Sequence, residues 1–195
     1  MTVVVKLGGS LAKTGALRSW LRVVQEYGAG RCVVVPGGGA FADAVRSAQQ
    51  RVGFSDRAAH VMALLAMEQY AALLADFEPA LRSCATVEEI GAALAGGRAA
   101  LWLPHGMVAS EPGIAASWTV TSDSLAAWLA GRICARHLVL VKSAAPPPPP
   151  LSPTALADLG LVDAAFPGHV AAAGCTLGYC GPGEQGRLAE ALRLE

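Results

Sequence analysis

The sequence predicts an α/β fold: a three-layer αβα sandwich with a mostly parallel central sheet. Two segments carry that expectation. Val3-Val4-Val5-Lys6-Leu7 is a β-branched run that ends in Gly8-Gly9-Ser10, and Cys32-Val33-Val34-Val35-Pro36 is a second run that ends in Gly37-Gly38-Gly39. A helical pattern follows each. Two successive strand–glycine–helix units place parallel strands side by side, with both glycine turns at one carboxyl edge of the sheet. Ligands of open α/β sheets bind at that edge.

Each turn has a chemical reading beside a structural one. Glycines let the backbone approach a ligand closely, and the first N–H groups of a helix are unpaired donors at the positive end of its dipole. Lys6 adds a mobile charge, so Lys6, Gly8, Gly9 and Ser10 form a candidate phosphate cradle. The spacing of a P-loop, G-x-x-x-x-G-K-[ST], is absent. An ordinary βα turn capped by Ser10 fits the same residues. Lys6, Lys13 and Lys142 are the only lysines of the chain. A compact ammonium is not interchangeable with a guanidinium where charge must move with a phosphate.

The remaining elements follow in order. Leu17, Trp20, Leu21 and Val24 mark a helix ending near Gly28. Phe41, Val45, Ala48 and Val52 space as the apolar face of another. A long helix is predicted over 55–77, with Ser55 as N-cap and Asp56 and Arg57 in its first turn. Its interior is apolar nearly all round, which implies deep burial, methionines as core filler and His60 as a partnered core or interface histidine. Such a helix carries more apolar surface than one packing face covers, so homo-oligomerisation through 55–77 is expected.

Further on, a short helix is predicted over 87–95, ended by Gly96-Gly97, then a strand over 99–103 and a functional loop over 104–117. Residues 118–124 lead into a helix, and 137–142 form a buried strand. The five prolines from Pro146 to Pro150 read as a stiff polyproline-II spacer. Ser152-Pro153 starts a helix ending at Gly160. A last strand over 175–179 and a last helix over 184–194 complete the alternation.

Composition narrows the function classes. The 195 residues are 53% hydrophobic and read as one domain with a substantial core. An uncharged apolar stretch of about 18 residues is missing, as is a signal peptide, so a cytoplasmic protein without membrane contact is expected. Fifteen basic and fifteen acidic residues give zero net charge, which argues against nucleic-acid binding. The five cysteines form no C-x-x-C pair. They read as reduced thiols, with Cys32 and Cys134 in apolar patterns, and no metal site is expected.

Four segments then occur in a telling order: Val5-Lys6-Leu7-Gly8-Gly9-Ser10, Val35-Pro36-Gly37-Gly38-Gly39, Thr121-Ser122-Asp123-Ser124-Leu125-Ala126 and Leu140-Val141-Lys142. Together they resemble the amino-acid kinase family, over roughly residues 1–143. The resemblance implies an ATP-dependent phosphotransferase using Mg2+ and a small-molecule phosphoryl acceptor. It implies that Lys6, Gly8, Gly9 and Ser10 hold the β- and γ-phosphates, with Ser143 also on the nucleotide side. Gly37, Gly38 and Gly39 would bind the acceptor or the transferring group, with Arg57 and Thr119 on the acceptor side. Asp123 would orient the catalytic lysines, Lys6 and Lys142. From spacing alone, Asp123 fits a helix N-cap equally well.

Within the family, residues 60–69, 122–128 and 159–163 most resemble the branch that phosphorylates an aminomethylfuran-methyl phosphate in methanofuran-type cofactor synthesis. Departures stand beside the likeness. Lys142-Ser143 is followed by Ala144-Ala145 and the prolines where relatives carry V-D-G, the C-terminal G-T signature is missing, and no lysine follows Lys142. The nucleotide half, about 144–195, is shortened. Two readings stay open: a kinase acting on a small, phosphorylated metabolite, or a catalytically degenerate kinase-fold subunit that binds an anion or a partner protein.

Overall fold

A computed structural model describes residues 1–193, and the predicted architecture is present. The six strands are β1 (Val3–Leu7), β2 (Cys32–Pro36), β3 (Arg82–Cys84), β4 (Ala100–Trp102), β5 (His137–Val141) and β6 (Thr176–Cys180). They form one parallel sheet in the order β3-β4-β2-β1-β5-β6. The chain runs outward from β1 to β2 on one side and places β5 on the other. The crevice above the carboxyl ends of β1 and β5 is therefore the switch point of the sheet.

Strand alternation divides the interior in two. Val4, Val33, Val35, Leu138 and Leu140 face one core, and Val3, Val5, Leu7, Val34, Val139 and Val141 face the other. The first core is covered by α4 (Val87–Ala95), α5 (His105–Val108), α6 (Ser122–Arg132), α7 (Pro153–Asp158) and α8 (Phe166–Ala173). The second is covered by α1 (Leu17–Tyr27) and α9 (Gln185–Arg193). The sequence reading ended the last helix at Leu194, which lies outside the described residues.

The long helix α3 (Asp56–Phe77) serves both cores, Leu64 and Met67 entering one and Tyr70, Ala71 and Leu74 the other. That double duty explains its apolar character. Ser55 accepts from the amide of Ala58, the expected N-cap. By length and composition alone α3 could cross a bilayer, which corrects the expectation that no segment would qualify. Here 44% of its most apolar window is buried inside the fold. Met62 and Leu65 remain exposed at 39% and 42%.

Several expectations need correction. In α2 (Gly39–Val52) the inward stripe is Ala42, Val45 and Gln49, while Phe41 and Val52 face solvent. The helix packs on α3 through that stripe, so only part of its apolar set is covered. Cys134 is exposed in the turn after α6 at φ 50°, whereas Cys32, Cys84 and Cys180 are buried. The segment 104–117 is partly helical, through α5. The proline run bends at 148–150 and does not extend as a rod.

Candidate active site

The site starts from strand phase. Lys6 shares the face of Val4 and is 3% exposed, and Lys142 follows β5 in phase with Leu138 and Leu140. Both lysines thus point into the layer where α6 begins. Asp123, in the first turn of α6, meets them. Lys6 Nζ lies 2.8 Å from Asp123 Oδ1, and Lys142 Nζ donates to Asp123 Oδ2 at 2.6 Å.

Burial would push the Asp123 carboxyl up, but the ammonium groups of Lys6 and Lys142 outweigh it and hold the carboxyl below the usual carboxylate range. Lys142 is pulled down to about 8, by burial first and then by repulsion from Lys6, against the attraction of Asp123. Two cations around one anion leave a buried surplus of one positive charge. Such a surplus is costly unless an anion offsets it.

The glycine turns frame this trio, partly for reasons the sequence did not show. The amide of Gly8 donates to Val141 O at 2.9 Å and that of Gly37 to Leu7 O at 2.9 Å, so both extend the sheet ladder. A Cβ on Gly9 would lie 2.2 Å from Gly39 N, and one on Gly37 2.4 Å from Gly9 N. These glycines let the two turns pack on each other. The amides of Gly9, Ser10, Gly38 and Gly39, at the starts of a 3-10 turn (Gly9–Lys13) and of α2, donate to no backbone acceptor outside their own helices among the described residues. They are the donors available to a ligand.

A cavity of about 250 Å3 opens beside the trio. Lys6, Asp123, Gly9, Ser10, Gly38 and Gly39 are among the residues that line it. Ala59, Ala63, Leu64 and Met67 of α3, with Val120 and Leu125, give it an apolar wall. Lys13, Asp43, Arg46, Asp56 and His60 bring polar groups to it. The rim is cross-tied: Trp118 Nε1 donates to Gln49 Oε1 at 2.6 Å, Gln49 Nε2 donates to Asp56 Oδ1 at 2.8 Å, and the Arg46 guanidinium sits 4.3 Å over the Trp118 ring.

Of the predicted site residues, Lys6, Gly9, Ser10, Gly38, Gly39 and Asp123 line the cavity, whereas Gly8, Gly37, Lys142 and Ser143 lie outside its lining. Ser10 and Ser143 join across the switch point, their hydroxyls 2.8 Å apart. Thr119 lies outside the cavity lining, its hydroxyl 3.0 Å from that of Ser117, which does line it. Arg57 is exposed and also outside the lining. It follows Asp56 by one residue, so the helical turn carries it away. Asp123 is not the N-cap; Thr121 holds that position. His60, expected to be partnered, lines the cavity with no hydrogen bond among the described residues, and burial lowers its pKa.

Sequence reasoning missed Arg46, Gln49 and Trp118, whose meeting depends on contacts between residues about 70 positions apart. A protein-held magnesium does not fit. The one carboxylate at the centre is engaged by two ammonium groups, and no group of three or more His, Cys, Asp or Glu occurs among the described residues.

A parallel αβα sheet with a cationic, glycine-framed crevice at its switch point defines a class of proteins that handle phosphorylated ligands. The particular family follows from comparison. The amino acid kinase family matches residues 1–145, and the chain belongs to it. A [5-(aminomethyl)furan-3-yl]methyl phosphate kinase of Methanocaldococcus jannaschii is 26% identical over 140 residues, which is 70% of this chain. The match spans 63% of that relative's length.

Solved structures share the fold. The uridylate kinase of Archaeoglobus fulgidus superposes with a TM-score of 0.73 at 19% identity, covering 100% of this chain and 97% of its own. The UMP kinase of Bacillus anthracis gives 0.72 at 13% identity, with 97% and 92% covered.

Proposed function

We propose that this protein transfers the γ-phosphoryl group of ATP to a small, phosphorylated acceptor seated in the cavity between the glycine turns and α3. The single observation that supports this most is the buried Lys6–Asp123–Lys142 trio, with its surplus positive charge, two members of which, Lys6 and Asp123, line that cavity. In such a transfer an oxygen of the acceptor phosphate bonds to the γ-phosphorus as the bond to the β,γ-bridging oxygen breaks, releasing ADP. The protein's task is alignment and charge neutralisation.

Lys6 and Lys142 offset the charge on the three phosphoryl oxygens, and the amides of Gly9, Ser10, Gly38 and Gly39 supply oriented dipoles. Asp123 holds the two ammonium groups apart and aimed. Its depressed pKa and engaged oxygens make it a poor base, and a phosphate acceptor, already ionised, needs none. Magnesium belongs in this reading only as an ion carried by the nucleotide.

The acceptor we favour is of the aminomethylfuran-methyl phosphate type. The curated relative acts on that compound by name, and the cavity joins an apolar wall suited to a flat ring with cationic and anionic rim groups. Five free cysteines suit the reducing, ATP-rich cytoplasm. The test is ADP release with this acceptor against UMP. A preference for the furan phosphate of tenfold or more supports the assignment, and a preference for UMP overturns it. No turnover with either, together with binding of phosphate or a partner chain, supports instead the reading of a catalytically degenerate kinase-fold subunit.

A further inference from the structure

The helix that carries Asp123 does not cap itself. Thr121 is its N-cap residue, in extended backbone, yet its side chain accepts no bond from the first turn. The cap comes instead from Asp163, in the connection between α7 and α8. Asp163 Oδ2 accepts from the Thr121 amide at 2.9 Å, the Thr121 hydroxyl at 2.7 Å and the Ser124 amide at 3.1 Å. The Ser124 hydroxyl donates to Asp163 Oδ1. Close by, the Ala165 amide donates to Thr119 O at 3.1 Å.

We propose that Asp163 is the positioning residue of the active site: by capping α6 from 39–42 residues downstream, it frees the Asp123 carboxylate for the two lysines and fixes where that carboxylate points. An acidic residue in the first turn of a helix would otherwise satisfy the unpaired N–H groups itself. Here the first-turn amide of Ser124 and the N-cap amide of Thr121 are already held by Asp163, and a second negative charge sits at the positive end of α6. Asp123 can therefore turn away from its own backbone toward Lys6 and Lys142. The two aspartates divide the work, one holding the helix and one holding the lysines.

The arrangement gives the C-terminal third a task in the site. Asp163 lies beyond the residues matched to the family, past the proline run, and yet governs the first turn of α6. The consequence for turnover rests on the kinase reading above; the consequence for Lys142 does not. Lys142 is 14% exposed and held by Asp123 at 2.6 Å, with Lys6 as its other charged neighbour and Tyr179 near Asp123. If the end of α6 loosens, that amine becomes accessible.

The experiment labels the intact protein at pH 7 with an amine-acetylating reagent and reads the rate at Lys142 by mass spectrometry. Asp163→Ala should raise that rate at least threefold. Asp163→Asn keeps an acceptor oxygen for the Thr121 and Ser124 amides and should stay within twofold of wild type. Val162→Ala removes buried volume next door without touching the cap, and should lose thermal stability with no change in labelling. Should Asp163→Ala fail to fold, Thr121→Val/Ser124→Ala removes two of the four donors that hold Asp163 and should raise labelling above that of Asp163→Asn, though by less than threefold.

Where the wild type transfers phosphate, Asp163→Ala should lower kcat about tenfold, with Asp163→Asn restoring most of it. Wild-type Lys142 labelling in a folded Asp163→Ala protein overturns the proposal, whatever its turnover. Absence of turnover in the wild type counts against the kinase reading alone, because the labelling still decides the role of Asp163.

Discussion

Raising the pH should move stability and activity in opposite directions, because one buried amine serves both. Lys142 titrates near 8 in the folded protein, against its ordinary value of 10.5. Below pH 8 both states are protonated, and folding bears the full cost of burying the cation. Between about 8 and 10.5 the unfolded chain binds more protons than the folded one, so stability rises with pH across that window. A gap of about 2.5 pH units corresponds to about 3 kcal/mol.

Other groups oppose this at higher pH. Burial pushes Cys180 up to about 11 and Tyr70 and Tyr179 up to about 12. These acids lose their protons first in the unfolded state, which erodes stability above about pH 9. Comparison with Lys142→Met isolates the lysine. Urea unfolding from pH 7 to 10 should show wild type gaining on the variant by up to about 3 kcal/mol. Over the same range kcat/KM of the wild type should fall about tenfold per pH unit above 8, as the ammonium is lost from the free enzyme. Parallel stability curves, or an alkaline limb that begins above pH 10, would refute the reasoning.

Three further outcomes follow from particular contacts. Gly9→Ala sets a Cβ 2.2 Å from Gly39 N; overpacking of about 3 kcal/mol should lower Tm by about 6–12 °C, and a scan within about 2 °C of wild type contradicts it. The exposed Met62 and Leu65 on α3 should mediate self-association, so sedimentation should show an assembly that Met62→Glu/Leu65→Glu reduces to monomers; a strictly monomeric wild type at micromolar concentration contradicts it. Among the described residues none after Leu125 lines the cavity, and the segment after Lys142 packs on the end of β6 and on Gly181, Tyr179 donating to Ala144 O at 3.1 Å. ATP, GTP and inorganic triphosphate should therefore bind within about tenfold of one another, or 1.4 kcal/mol, by calorimetry; a larger preference for ATP reveals an adenine pocket.

What was legible in the sequence was local. The β-branched runs, the glycine turns after β1 and β2, the Ser55 and Ser152 caps and the bounds of α4 all follow from neighbours within a few residues. Lys6, Lys142 and Asp123 were identified by ordered motifs, and strand phase explains why the lysines face α6. The rest depends on distant partners. Asp163 has no local signal for capping a helix some 40 residues earlier, and Gln49 none for bonding Trp118. β3 is a three-residue edge strand without alternation, and α8 opens on Phe-Pro-Gly, which masks a helix start. The glycines were read for ligand approach, but at Gly9 and Gly37 the close neighbour is the other turn.

The central claim is that the Lys6–Asp123–Lys142 trio transfers a phosphoryl group, and Lys6→Ala tests it most directly. Wild type and variant would be mixed with γ-labelled ATP and [5-(aminomethyl)furan-3-yl]methyl phosphate, and label entering the acceptor would be timed. Loss of a preorganised charge contact worth about 3 kcal/mol predicts a rate more than 100-fold lower in a folded Lys6→Ala protein. Transfer at near wild-type rate in that variant would contradict the account.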